Sequence, residues 1–233
     1  ADTAISSAAG LLTFDVSTGN AFAGTYNLTF ATTGNITVAD PIATSTGNIT
    51  KSGSGTLLFT ANNTYSGSTA INAGQLIIER DTLTFATSGF SGAGTLWVRS
   101  AAASFASAYT FNAPTSSLGG LTIGQATNTT AVTLSNTIGV TGNLVVYGPA
   151  TLNADVTTGA TQQYTGNVTI SASSISLSTT NNNITFGGDI NGSAANTNSL
   201  YMLSGSGAIN LAGNVGNSAT LVNFGLGGTG PTL

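Results

Sequence analysis

Residues 51–78 read KSGSGTLLFTANNTYSGSTAINAGQLII, and this stretch decides the fold class. It holds two strand-length apolar runs, Thr56 to Phe59 and Gln75 to Ile78, with the cluster Asn62 to Ser68 between them. Asn, Gly and Ser in that cluster supply the positive-φ positions and side-chain-to-backbone bonds that turns need, and no 3.6-residue spacing or helix cap appears. Many short strands without helices build a sandwich, a barrel or a solenoid, so repetition is the deciding question.

Working outward, the chain does repeat, loosely. SGSGTL at 52–57 returns as SGAGTL at 91–96 and as SGSGAI at 204–209, at offsets of 39 and 113 residues. Both offsets lie near multiples of about 19, one plausible coil length for a β-solenoid. GNIT at 34–37 occurs again at 47–50, with echoes in GNLV at 142–145 and GNVT at 166–169, and the thirteen-residue offset of the first pair makes the period irregular. Strand-length segments run from Leu11 to Phe14 at one end to Thr220 to Phe224 at the other with no internal boundary, so residues 1–233 read as one continuous unit. At about 20 residues per coil this gives on the order of a dozen coils and a rod of roughly 55 Å.

Composition agrees. Only 4% of residues are charged while 40% are hydrophobic and 31 are glycine, too few charges for helical surfaces, and Thr, Ser and Asn carry the solvation. Lys51, Arg80 and Arg99 stand against seven acidic residues, a net charge of −4, so no cationic surface exists for nucleic acid. Cysteine and histidine are absent, which removes disulfides, thiolate and imidazole chemistry and the usual transition-metal ligands; no catalytic, cofactor-binding or metal-binding residues are assigned, and no cofactor is expected. No apolar run approaches the roughly 20 residues that span a bilayer, and ADTAISSAAG is not a signal peptide, so the chain is expected to be processed or cut from something longer.

Within 51–78, Gly55-Thr56-Leu57, Asn63-Thr64-Tyr65-Ser66-Gly67 and Ala73-Gly74-Gln75-Leu76 follow one another in the order and spacing of the passenger-associated transport repeat. The stretch closely resembles that repeat of autotransporter passenger domains. TLNADVTTGATQQYTGNVTI at 151–170, with its turn at Gln163-Tyr164-Thr165-Gly166, and the segment 184–224 are similar to haemagglutinin-like large exoproteins. The resemblance implies an all-β, right-handed parallel β-helix, exported from a Gram-negative bacterium and displayed at the cell surface or released from it. The final GLGGTGPTL offers no polar cap, and both neighbouring segments are expected to be missing. Expected partners are neighbouring segments of the same protein or identical chains end to end, with host-cell or surface glycans as a further possibility.

Few residues invite a sharper reading. Glu79-Arg80-Asp81 is the one charge cluster, and strand alternation places both carboxylates on one side with Arg80 opposite; a solvated loop is the expected role, against an acid/base pair in a polysaccharide-cleaving groove. That enzyme reading requires Asp15, Asp40, Asp155 and Asp189 to converge. GGDINGS at 187–193 faintly echoes a calcium loop through Asp189, Asn191 and Ser193 but lacks the further carboxylates, and a turn is expected. Asn62, Asn63 and Asn181 to Asn183 suit amide ladders between coils. The sequons at Asn27, Asn35 and Asn167 arise by chance in a chain so rich in Asn and Thr. Trp97 with Tyr26, Tyr65, Tyr109, Tyr147, Tyr164 and Tyr201 is expected to pack in core or turns in preference to forming a sugar-stacking row. Thr82-Leu83-Thr84 is too isolated for an ice-binding array. The chain reads as a non-enzymatic extracellular scaffold, with a self-assembling filament subunit and a polysaccharide-binding or polysaccharide-cleaving β-helix as the rivals.

Overall fold

The computed structural model describes residues 1–81 and 88–228; Thr82-Leu83-Thr84 lies outside them. Among the described residues there is no helix, and the paired strands run parallel to their neighbours on three faces that the chain visits in turn. The first face stacks six strands from Thr3–Ser7 to Thr115–Ser116, then five more from Ile138–Val140 to Asn223–Gly228, the two sets joined by a bridge between Leu118 and Val140. The second face is an unbroken sheet of ten strands from Leu11–Phe14 to Ile209–Leu211. The third carries Phe22–Ala23 on Ile42–Ala43 and, further along, five strands from Tyr109–Phe111 to Ile190–Gly192. The result is a parallel β-solenoid of about ten coils.

Alternation puts one set of side chains inside. Along the second face the inward column runs Ile36, Leu57, Leu76, Leu96, Leu121, Leu144, all essentially solvent-free. A parallel column holds Val38, Phe59, Ile78, Val98, Ile123 and Val146. Each row therefore buries its apolar residues against the rows above and below, and the core is one continuous stack.

The register explains the irregular repeat. Leu57, Leu96 and Ile209, the last residues of the three SGSGTL-type segments, occupy the same column: Leu57 pairs Leu76, which pairs Leu96, and five further steps reach Ile209. The 113-residue offset is therefore five coils, not six of nineteen, because a step ranges from Leu144 to Gln162 up to Ile184 to Ile209. Longer steps also make ten rows where a dozen were expected, and nine gaps of about 4.8 Å give a second face about 43 Å tall. The two GNIT segments differ by thirteen because Gly34-Asn35 leads onto the second face and Gly47-Asn48 onto the first.

Asparagine at these corners forms the expected ladders, at more positions than the sequence suggested. The side-chain oxygen of Asp2 accepts the Asn27 N–H, Asn27 accepts from Asn48, and Asn48 accepts from Ser68, so each residue caps an amide one coil on. Asn35 to Thr56, Asn143 to Thr161 and Asn183 to Ala208 repeat the device on the second face. Backbone amides at strand starts that the turn leaves unpaired are thereby satisfied. The segment read as a turn around Gln163-Tyr164 is different: Gln162–Tyr164 is a second-face strand, with Gln162 in the aliphatic column and Tyr164 stacked on Phe186 at 5.1 Å. Gln162 is tolerated there because its amide donates to Ser178 O (2.8 Å) and its oxygen accepts from the Tyr164 hydroxyl (3.1 Å).

Candidate functional site

The charged residues gather where two adjacent strands leave the second face. Glu79 and Arg99 are register partners, and the Arg99 guanidinium lies 2.8 Å from Glu79 Oε2 and 4.4 Å from the centre of the Trp97 ring. The Trp97 indole N–H donates to Gly124 O at 2.7 Å, one row further on. Arg80 turns back, donating to Thr60 O (3.1 Å) and to Asn62 Oδ1, while Asp81 accepts the Ala106 N–H (3.2 Å) of the following coil. A cavity of about 320 Å³ lies among Thr60, Glu79, Arg80, Asp81 and Ala101. Glu79 and Arg80 do part as alternation requires, but each charge is engaged by a neighbouring coil: the cluster rivets three rows together.

The other carboxylates are dispersed. Asp15 and Asp40 follow the second-face strands of the first two coils, Asp155 precedes Val156–Thr158 and accepts the Ser176 N–H (2.7 Å), and Asp189 precedes Ile190–Gly192. Asp189 accepts from Asn214 N (2.7 Å) and Asn217 Nδ2 (3.0 Å), bonds that hold its carboxyl below the usual carboxylate range. Asn191 Oδ1 accepts from Ser218 N, and Ser193 Oγ donates to Asn198, so the three oxygens of GGDINGS reach three separate partners. Among the described residues no three His, Cys, Asp or Glu side chains come together as metal ligands. Tyr65, Tyr109 and Tyr164 are buried, Tyr26, Tyr147 and Trp97 half-buried, and Tyr201 points outward on the first face, so no aromatic row forms.

The segment 51–78 shows why its residue types recur in that order. Asn63 and Thr64 take the place of a third-face strand: the Asn63 side-chain oxygen accepts the Ile42 N–H (2.7 Å) and the Thr64 N–H donates to Ile42 O (2.9 Å), so an amide side chain carries the ladder through the turn. Tyr65 then fills the core with its hydroxyl on Thr69 Oγ1 at 2.8 Å. Gly55 and Gly74 lie one above the other at the corner between faces one and two.

Lys51 is the residue a charge-based reading passes over. It lies in Ile49–Ser52 two places after the inward Ile49, so alternation alone sends it inside, and it is solvent-free. Its ammonium donates to Ser52 O (3.1 Å), Gly53 O (2.7 Å) and Ala73 O (3.1 Å), using all three N–H bonds to tie one coil to the Ala73-Gly74 turn of the next. Burial lowers its pKa below the ordinary 10.5. The unfolded chain therefore holds more protons just below that value, and the stability Lys51 contributes rises with pH up to 10.5. Lys51→Met should cost about 2 kcal/mol at neutral pH by orphaning carbonyls. It should also flatten the pH dependence of the urea midpoint on the alkaline side.

A stack of three-faced coils whose polar side chains are spent on joining rows defines the class: a parallel β-solenoid repeat protein. Residues 49–78 match the family model described as the passenger-associated-transport-repeat. That repeat, set in this solenoid, fits a β-helix repeat protein of the autotransporter-passenger type. Neither the curated proteins nor the solved structures contain a match.

Proposed function

We propose that the chain is part of an extracellular, non-catalytic rod on the surface of a Gram-negative bacterium, displaying or forming part of an adhesin. The passenger-type repeat at 49–78 carries this reading, since the family it belongs to implies a secreted or surface-exposed protein. Dispersed carboxylates and a polar, hydroxyl-rich exterior favour weak repeated contacts over chemistry. Its axial partners are further coils of the same polypeptide or identical chains, an arrangement favoured by half-covered interior residues in the outermost rows, Ile5, Leu12 and Phe14 at one end and Leu211 and Val215 at the other.

Beads coated with the chain should be retained under flow on host-cell and glycan-coated surfaces several-fold better than albumin-coated beads. Equal retention overturns the adhesive part of the proposal. Protease treatment of intact cells tests the location separately, with release of fragments expected from an exposed rod.

A further inference from the structure

The outward positions just ahead of the inward leucines of the second face form a row: Thr56, Gln75, Thr95, Gly120 and then Asn143, one residue before Leu144. Gly120 leaves that row without a side chain, and nothing in the backbone requires it. A Cβ on Gly119 would sit 2.0 Å from Ala93 O, so glycine is enforced there. On Gly120 the nearest atoms would be Asn143 O and Thr95 Cγ2, both at an ordinary 3.4 Å, and its φ is not positive. An unforced glycine inside a strand forfeits packing and order, and one use of such a position, where no bulge or bend requires it, is to let a ligand approach the backbone closely.

The missing side chain opens a groove of about 200 Å³ over the strand that carries Gly120 and Thr122, with Gly119-Gly120 as its floor, Gln75 and Thr95 on one side and Asn143 and Val145 on the other. Asn143 Oδ1 is committed to Thr161, but its Nδ2, the Gln75 amide and the Thr122 hydroxyl make no hydrogen bond to the described residues. Val145 adds an apolar border. No charged side chain lines the groove, and Glu79 and Arg99 on the same face are paired with each other.

We propose that this groove is a binding subsite for an uncharged oligosaccharide, with a sugar ring seated over Gly120. An anionic ligand would find no cation. An added peptide strand would find no free edge, because the row lies inside a ten-stranded sheet whose backbone is already paired. A hydroxyl-rich neutral ligand matches what is free: two amides at either end of the groove, a hydroxyl beside its floor and an apolar border, spread over rows about 4.8 Å apart. The proposal deepens the adhesive reading by giving that surface a ligand class and a place.

An array of neutral oligosaccharides built from glucose, galactose, mannose and N-acetylglucosamine, with sialylated and sulfated ones as comparison, should yield a neutral ligand. NMR titration with that oligosaccharide should show binding weakened at least about tenfold by Gly120→Ala, which fills the floor, and by Gln75→Ala, with melting temperatures unchanged. Binding of acidic glycans or an extended peptide alone, of nothing, or equally by both variants overturns the subsite. If Gly120→Ala beads adhere as well as wild type, the groove fails and the adhesive reading stands. If soluble oligosaccharide binds in a Gly120-dependent way but beads do not adhere, the adhesive reading alone fails.

Discussion

Gly55→Ala should destabilise the protein by at least about 3 kcal/mol, among the larger costs of a single substitution. A Cβ on Gly55 would lie 1.7 Å from the carbonyl oxygen of Gly34 in the coil below, inside any contact that real atoms make. The backbone cannot retreat cheaply, because it is clamped from both sides. The Gly55 N–H donates to Thr32 O (2.9 Å), its carbonyl accepts the Gln75 N–H (3.3 Å), and the next residue's N–H is held by Asn35 Oδ1 (3.1 Å). Separating the rows would also uncover Ile36, Leu57 and Leu76. Since each coil touches its neighbours only, hydrogen exchange should speed up chiefly in the strands Asn35–Val38, Thr56–Phe59 and Gln75–Glu79, and hardly at all beyond Val168–Ile170. Unchanged exchange in those three strands would show that the corner is softer than its geometry. Gly142→Ala, 1.8 Å from Gly119 O, should behave alike, whereas Gly120→Ala should be nearly silent in stability.

That contrast marks what the sequence makes legible. Two-residue alternation in TLLF and QLII, punctuated by glycine and asparagine, is the direct image of an inward column and a stacked corner, and it identifies both the solenoid and the segment 51–78. The number of coils is not legible in the same way, because loops absorb variable lengths: Leu144 reaches its partner Gln162 in eighteen residues, while Ile184 needs twenty-five to reach Ile209. Only three-dimensional register shows that SGSGTL and SGSGAI share a column. The charged corner is visible as ERD, but its partners, Thr60, Asn62, Arg99 and Ala106, come from other coils. Lys51 was open to alternation and hidden by its charge. The groove at Gly120 is invisible, since GG looks the same whether sterics demand both glycines or one.

Above about pH 10 the protein should unfold over a narrow range, and three tyrosines should cause it. The hydroxyls of Tyr65, Tyr109 and Tyr164 lie in the core, and burial raises each pKa far above the ordinary 10.0. In the unfolded chain the same groups ionise near that value. The stability they contribute is therefore complete below pH 10, and above it the unfolded state sheds protons that the folded state retains. Each tyrosine then costs about 1.4 kcal/mol per pH unit, and three cost about 4, so two units remove on the order of 8 kcal/mol, comparable to the whole stability of a typical domain. Lys51 works the other way up to 10.5, so the stability curve should rise gently and then break downward. Replacing all three tyrosines by phenylalanine should move the alkaline midpoint up by more than about one pH unit, followed by circular dichroism together with tyrosinate absorbance. Tyr109→Phe alone should raise stability near neutral pH by about 1 kcal/mol, since its hydroxyl is buried without a hydrogen-bond partner, while Tyr65→Phe sacrifices the bond to Thr69. An unmoved midpoint in the triple variant would assign the transition to other groups. A folded protein in which Tyr65, Tyr109 and Tyr164 titrate near 10.0 would show that these rings reach water, contrary to the packing of the rows around them.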